Sequence, residues 1–298
     1  MTWKVTLPCT RAEAERLGAE IEPFAGLDAP PVLVTSEEAG ERWRLDAFFE
    51  RKPTQALLAQ LEALVPSAGG TPPRPEQVPE ADWVTLSQAG LEPISAGRFF
   101  IHTPAHRGEA PQGTVALEID AGRAFGTGQH ETTTGCLIAL DRLKRQGFVA
   151  RNLIDVGTGT GLLAFAAMHL WPQARATATD IDPVSVEVTR ENAAINGVAL
   201  GAAPGRLDLA VAAGLDHPKL RQRGPYDLII ANILAGPLIT LAPSLAPALV
   251  PGGRLVLAGL LAGQAERVER AYRREGLRPL FAVRRGEWPT LVLRRPKA

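Results

Sequence analysis

From Asn152 onward, short apolar runs alternate with longer stretches of helical periodicity, and this alternation constrains the fold more than anything else in the chain. "NLIDVG" is an apolar run ending in a Gly-rich turn, and "LLAFAAMHL" follows as a helix. "ARATATD" gives way to "PVSVEVTRENAAIN", with Pro183 suited to a first helical turn. "LDLAV", "YDLIIA" and "RLVLAG" continue the strands, and "GQAERVERAYRRE" reads as a surface helix. Strand and helix in this order predict a parallel sheet covered on both faces, joined by right-handed crossovers. The chain ends differently. "LRPLFAVRR" and "TLVLRR" are separated only by "GEWP", too short for a parallel crossover, so the last pair is expected to be antiparallel.

The first third follows another pattern. "WKVTLP" alternates like a strand, and Thr10 and Glu13 form a capping box for a helix expected to run to about Glu22. "PVLVT" and "RWRLDAFF" read as strands. Thr54 opens a helix with Leu57, Leu58, Leu61, Leu64 and Val65 on one face. This β-α-β-β-α order needs a fourth strand to complete a small ferredoxin-like α+β sandwich. That strand is expected inside the Pro/Gly-rich "PSAGGTPPRPEQVPEAD", which otherwise reads as a stiff connection, and "DWVTLSQ" as a short helix capped by Asp82. The expected division is residues 1–79 as the small domain and 80–298 as a linking segment plus the α/β domain.

A chain of 298 residues with 45% apolar content can bury cores for both. Thirty-two basic residues balance 32 acidic ones, so there is no global charge argument for nucleic acid. Cys9 and Cys136 lie at neither metal nor redox spacing, and no metal site is expected. No run is long and apolar enough to span a bilayer, and the amino terminus has no basic-then-apolar signal region. The expectation is a soluble cytoplasmic protein.

In "IDVGTGTG", Gly157, Gly159 and Gly161 stand at every second position between a strand and a helix, where glycine lets backbone approach a ligand closely. The third position after Gly159 is Leu162, so the dinucleotide fingerprint fails, and no Gly-Lys-Ser/Thr follows to make a Walker loop. An ordinary tight strand-helix turn is the plainer reading. Asp180 ends the second strand, where a carboxylate can accept the two ribose hydroxyls of an adenosine. Asp182, ahead of Pro183, is the expected cap of the next helix. In "DLIIANILAGP", Asn232 places an amide where an apolar strand gives way to a loop. It is either a turn cap or a group facing a ligand at the carboxyl end of the sheet.

Glycine turn, acidic strand end and antiparallel terminal hairpin together resemble the class I S-adenosylmethionine-dependent methyltransferases. "FGTGQHETT", "DVGTGTG", "DIDP" and "NILAGP" as a set closely resemble the PrmA family, which methylates large-subunit ribosomal protein eleven, with the likeness running from about Ala124 to Leu261. The resemblance implies S-adenosylmethionine as cofactor, held by Thr133, Gly157, Gly159, Asp180 and Asn232, with Asn232 also orienting the amine or the cofactor during catalysis. It implies methylation of the α-amino group and lysines of the ribosomal protein, before or during ribosome assembly. The small domain would recognise that substrate, and no direct nucleic-acid binding is required. Gly126, Thr127 and Gly128 read as a flexible loop, and Thr132, Thr133 and Thr134 as the opening of the helix "CLIAL". Thr158 and Glu131 depart from the family pattern, in which Cys and Pro are frequent at those places. The alternatives are a ribosomal RNA guanine N-methyltransferase, against which "NILAGP" and the neutral charge both count, and a non-catalytic ribosome-assembly factor on the same fold.

Overall fold

Leu153, Ile154, Val156, Leu228, Ile229, Ile230 and Ala231 are all buried, the signature of strands covered on both faces. In the computed structural model they belong to β8 (Asn152–Val156) and β11 (Tyr226–Asn232), adjacent parallel strands with Leu228 opposite Leu153. The structure describes residues 2–19, 24, 31–38, 42–49, 51–69, 72–78, 93–119 and 129–297. The chain forms two compact units, Met1–Ser87 and Gln88–Ala298.

The first unit is a four-stranded antiparallel sheet in the order β2-β3-β1-β4, from β1 (Thr2–Cys9), β2 (Val32–Glu38), β3 (Arg42–Phe49) and β4 (Pro75–Val78). The helices α1 (Arg11–Ala19) and α2 (Gln55–Leu64) complete the β-α-β-β-α-β order. The fourth strand does lie in the Pro-rich stretch. Pro75 can start it because β4 is an edge strand, where a missing N–H costs the ladder little. Thr10 and Glu13 form the capping box, Glu13 N–H donating to Thr10 Oγ1 at 3.3 Å and Thr10 N–H to Glu13 Oε2 at 2.7 Å. Glu13 also accepts the Ser67 N–H at 3.0 Å. Burial works against its charge, but the hydrogen bonds from Ser67 and Thr10 prevail and hold the carboxyl down at about 2. The expected extension of α1 to Glu22 and the helix at "DWVTLSQ" lie outside the described residues.

The second unit holds a seven-stranded sheet in the order β10-β9-β8-β11-β12-β14-β13. The strands are β8, β9 (Arg175–Asp180), β10 (Leu207–Val211), β11, β12 (Leu249–Ala258), β13 (Arg278–Arg285) and β14 (Trp288–Arg294). β14 slots between β12 and β13 and runs antiparallel to both. The helices are α3 (Gln129–Arg145), α4 (Leu162–Leu170), α5 (Pro183–Ile195), α6 (Pro218–Arg223), α7 (Ala235–Leu245) and α8 (Ala262–Arg274). One apolar core, with Leu137, Leu140, Phe165 and Val256, covers one face of the sheet. A second, with Tyr226, Leu238, Leu257 and Tyr272, covers the other. Asp182 caps α5, accepting the Val184 N–H at 2.9 Å.

Three features differ from the sequence reading. The helix α3 begins at Gln129, so Thr132, Thr133 and Thr134 lie within its opening turns rather than starting it, and all three are buried. Only Ile233 and Leu234 separate β11 from α7, so no extended loop follows Asn232. A three-stranded sheet of β5 (Ile94–Ala96), β6 (Phe99–His102) and β7 (Val115–Glu118) occupies a region for which periodicity predicts nothing. Its Phe99, Ile101 and Leu117 join the core of α3 and α4, and β7 is pinned by Asn196, whose Nδ2 donates to the Glu118 carbonyl at 2.7 Å.

Candidate functional site

The strand order sets the place of the site. From β8 the chain proceeds outward to β9 and β10, then returns to β11 on the other side of β8, which makes the carboxyl ends of β8 and β11 the topological switch point. Gly157 follows β8 there, and Asn232 is the last residue of β11.

The glycine turn is fastened to the end of β9. The Thr179 carbonyl accepts the N–H groups of Gly157 at 2.8 Å and Thr158 at 2.9 Å. Asp180 Oδ2 accepts the Gly159 N–H at 3.0 Å, and its Oδ1 accepts the Asp182 N–H at 3.1 Å. A carboxylate has about four lone-pair sites, so each oxygen keeps one for a ligand. Gly157 has φ +73° and Gly159 φ +56°, a region that L side chains rarely adopt. A Cβ on Gly157 would come within 2.3 Å of Ile233 Cγ2, whereas one on Gly159 would meet nothing within 4 Å. Gly157 is therefore glycine because a wall leans on it, and Gly159 borders open space.

A cavity of about 620 Å³ opens at this point. Gly157, Asp180, Ile181, Ile233, Leu234 and Leu241 are among its lining. Ile181 and Leu234 are each 73% exposed, so two large apolar side chains stand free at the site. A mostly apolar pocket with one convergent carboxylate suits a flat apolar base joined to a sugar. Sequence reading singled out Gly157 and Asp180 but missed Ile181, Ile233 and Leu234. The signal was their position in the first two residues after a strand end.

Thr133 and Asn232 do not line the cavity, but the structure brings them together. Asn232 Nδ2 donates to Thr133 Oγ1 at 3.4 Å, joining residues 99 positions apart. Among the described residues the Asn232 side-chain oxygen accepts no hydrogen bond, and the next residue, Ile233, is part of the cavity wall. Gly126, Thr127 and Gly128 lie outside the described residues.

Asp155, in β8, is a buried carboxyl that the sequence reading passed over. Burial pushes it up to about 7 and the charge of Asp180 adds to this, while hydrogen bonds from Thr158 and the Ala164 N–H oppose. Thr158 Oγ1 donates to Asp155 Oδ2 at 2.8 Å. Ala164 lies in the first turn of α4, whose N-cap Gly161 has no side chain, so Asp155 caps that helix from the neighbouring strand. Thr158 and Glu131 are both engaged, Glu131 pairing with Arg285 at 2.9 Å. Among the described residues no group of three or more His, Cys, Asp or Glu is placed to hold a metal, and no helix is long and apolar enough to cross a membrane.

Comparison with known proteins points the same way. The family model of the ribosomal protein L11 methyltransferase (PrmA) matches residues 13–296. A ribosomal protein L11 methyltransferase of a Caulobacter species is 40% identical over 288 residues, 96% of this chain and 95% of that protein. Its counterpart from Brucella suis is 40% identical over 286 residues, 95% of this chain and 96% of the other. The crystal structure of a ribosomal protein L11 methylase from Lactobacillus delbrueckii subsp. bulgaricus superposes with a TM-score of 0.59 at 29% identity, covering 69% of this chain and all of that one. The chain belongs to the ribosomal protein L11 methyltransferase (PrmA) family, and it is an enzyme that takes its methyl group from S-adenosylmethionine.

Proposed function

We propose that this chain methylates the α-amino group and lysine side chains of ribosomal protein L11, in the cytoplasm, before or during ribosome assembly. The observation that carries the reading is Asn232, held by Thr133 at the end of β11 and one residue from the wall of the cofactor cavity. Bound S-adenosylmethionine supplies an electrophilic methyl on a sulfonium. In this reading Asp180 receives the ribose hydroxyls on the lone pairs left free by Gly159 and Asp182. Gly157 and Gly159 let the backbone approach the cofactor, and Ile181 and Leu234 cover its apolar surface.

The chain must also accept an uncharged amine. A lysine has a pKa of about 10.4 and an α-amino group about 7.7–8.0, so at neutral pH a lysine is neutral roughly three powers of ten less often than it is charged. An amine that docks against the bound cofactor is stripped of water, and desolvation lowers its pKa. The Asn232 oxygen accepts an amine N–H and so turns the nitrogen lone pair toward the methyl group, which is catalysis by alignment. A neutral amine needs no general base before attack, and its extra proton leaves to water afterwards. Residues 1–79 form the substrate-recognition domain in this reading, and residues 80–298 the linking segment and catalytic domain.

The test is mass spectrometry of L11 incubated with the enzyme and isotope-labelled S-adenosylmethionine, wild type beside Asn232→Ala. Label is expected on the amino terminus and lysines, with kcat at least tenfold lower in the variant and cofactor affinity less affected. Label on ribosomal RNA instead of protein would replace this reading with the guanine N-methyltransferase. Cofactor binding without any transfer would leave an assembly factor.

A further inference from the structure

The sheet carries an unneutralised row of arginines away from the cofactor cavity. Arg254 of β12 pairs in register with Arg294 of β14, and Arg294 with Arg278 of β13. Directly opposed residues share a face, so three guanidinium groups stand side by side across neighbouring strands. The row continues through Leu228 and Leu153 near the amino ends of β11 and β8, whereas the cofactor cavity lies at the carboxyl ends. Two further cations border it. Arg142 of α3 stacks 4.0 Å from the centre of the Phe281 ring. The Lys297 side chain lies over Gly252, whose carbonyl accepts a hydrogen bond from Arg254.

Among the described residues none of these five cations pairs with a carboxylate. The imbalance is local: between Ala262 and Ala298 ten Arg and Lys face four Glu, in a chain whose charges cancel as a whole. Like charges directly opposed across strands destabilise a sheet. Arg254 also stacks 5.1 Å from the centre of the Phe148 ring, and its Nε is buried with no hydrogen-bond partner. Burial, and then the charge of Arg294, both work against its cation. Elsewhere the protein neutralises such groups: Asp208 takes both Lys219 and Arg223, and Asp141 takes both Arg98 and Arg145. A row kept without counter-charge is built for an anion that comes from outside.

We propose that the face formed by Arg142, Arg254, Arg278, Arg294 and Lys297 binds the phosphate backbone of single-stranded RNA. Strands in a sheet are about 4.8 Å apart, so the arginines form a linear track rather than a pocket for one anion. Arg142, stacked on Phe281, keeps its outer N–H fork for phosphate oxygens and a free face for a base, whereas Arg254 has given Nη1 to the Gly252 and Gly253 carbonyls and adds its charge to the track. Half-buried Phe148 and Phe281, interleaved with the arginines, match the mixture of cation and ring that single-stranded nucleic acid uses.

The test is fluorescence anisotropy of a fluorescein-labelled single-stranded RNA of mixed sequence, titrated with the full-length enzyme over a series of KCl concentrations. The variants are Arg278→Ala/Arg294→Ala and Arg278→Lys/Arg294→Lys, since both residues are exposed. Each single-strand phosphate contact contributes about 0.7 to the slope of log affinity against log salt, so the alanine pair should flatten the slope by about 1.4. Extrapolated from 1 M salt, that is roughly a 25-fold weaker complex at about 0.1 M. The lysine pair keeps both charges and should keep the slope. Cofactor binding and methyl transfer to protein should survive in both variants, so this inference and the substrate reading fail by different measurements. RNA binding unchanged in the alanine pair overturns the proposal, as does wild-type protein that binds RNA without salt dependence. Poly-glutamate held more tightly than RNA, and lost in the alanine pair, would assign the face to an acidic protein instead.

Discussion

Replacing Gly157 by alanine tests whether the cavity wall, rather than the glycine motif as such, sets cofactor affinity. The added Cβ would lie 2.3 Å from Ile233 Cγ2, where ordinary contact begins at 3.4 Å, so the wall must retreat by about 1.1 Å. Ile233 branches at Cβ, which limits its χ1 choices and leaves it little room to turn aside. Overpacking of this kind costs about 1–3 kcal/mol. The positive φ of +73° adds about 1–2 kcal/mol for any residue with a Cβ. Because Gly157 and Ile233 line the same cavity, the displaced side chain intrudes on the cofactor, and an intrusion worth about 1.4 kcal/mol means a tenfold weaker Kd. Ile233→Ala removes Cγ2 and with it the clash, but leaves the backbone strain. Calorimetric titration with S-adenosylmethionine should therefore give Gly157→Ala a Kd at least tenfold weaker than wild type. The Gly157→Ala/Ile233→Ala pair should recover part of that loss relative to Ile233→Ala alone, as a positive coupling in the double-mutant cycle. Gly157→Ala binding within twofold of wild type, or a cycle showing no coupling, would refute the reasoning.

Asp180→Ala should weaken S-adenosylmethionine binding roughly tenfold to a hundredfold, the value of about 1.5–3 kcal/mol for charged hydrogen bonds, and unchanged calorimetry would remove Asp180 from the site. Asp155, pushed up to about 7, favours the folded state fully below the ordinary carboxylate value near 3.9, and this contribution is lost as pH rises through 7. Asp155→Asn should therefore narrow the difference in urea-unfolding stability between pH 5 and pH 8 by about 2–3 kcal/mol, and an unaltered pH profile would count against a buried titrating carboxyl. Deleting residues 1–79 should leave cofactor affinity nearly unchanged while kcat/KM on intact L11 collapses, as read by calorimetry and methyl-transfer assay. Full methylation by the shortened chain would end the substrate-recognition reading of the small domain.

What could be read from the sequence was whatever local physics settles. The runs of β8 and β11 are apolar enough to require cover on both faces, and "GEWP" is too short for anything but an antiparallel return. The caps of Thr10, Thr54 and Asp182 lie within three residues of their partners, so spacing alone revealed them. The small sheet escaped because its strands of three and four residues are too short for a period to emerge, and its stability comes from Phe99, Ile101 and Leu117 meeting distant helices. At the site, Gly157 and Asp180 stood out by residue type, whereas Ile181 and Ile233 look like any apolar residue until a cavity is found beside them.

The same limit explains why the neutral composition concealed a cationic face. The excess of Arg and Lys over Glu266, Glu269, Glu275 and Glu287 near the end of the chain is visible in the sequence, but which of those cations share a face with Arg254 is not. Glu266 and Glu269 spend their charge on Arg270 and Arg273 within α8, through pairs one helical turn apart. Arg254, Arg278 and Arg294 align only because β14 enters between β12 and β13 and fixes both registers at once. A one-residue slip of β14 would send Arg294 to the opposite face and bring Leu293 or Arg295 into the row. Register is a property of the folded sheet, so the charge track exists only after β14 has paired both with its hairpin neighbour β13 and with the sequence-distant β12. Net charge therefore argues against a nucleic-acid partner for the chain as a whole, while leaving open a surface on which folding collects one sign of charge.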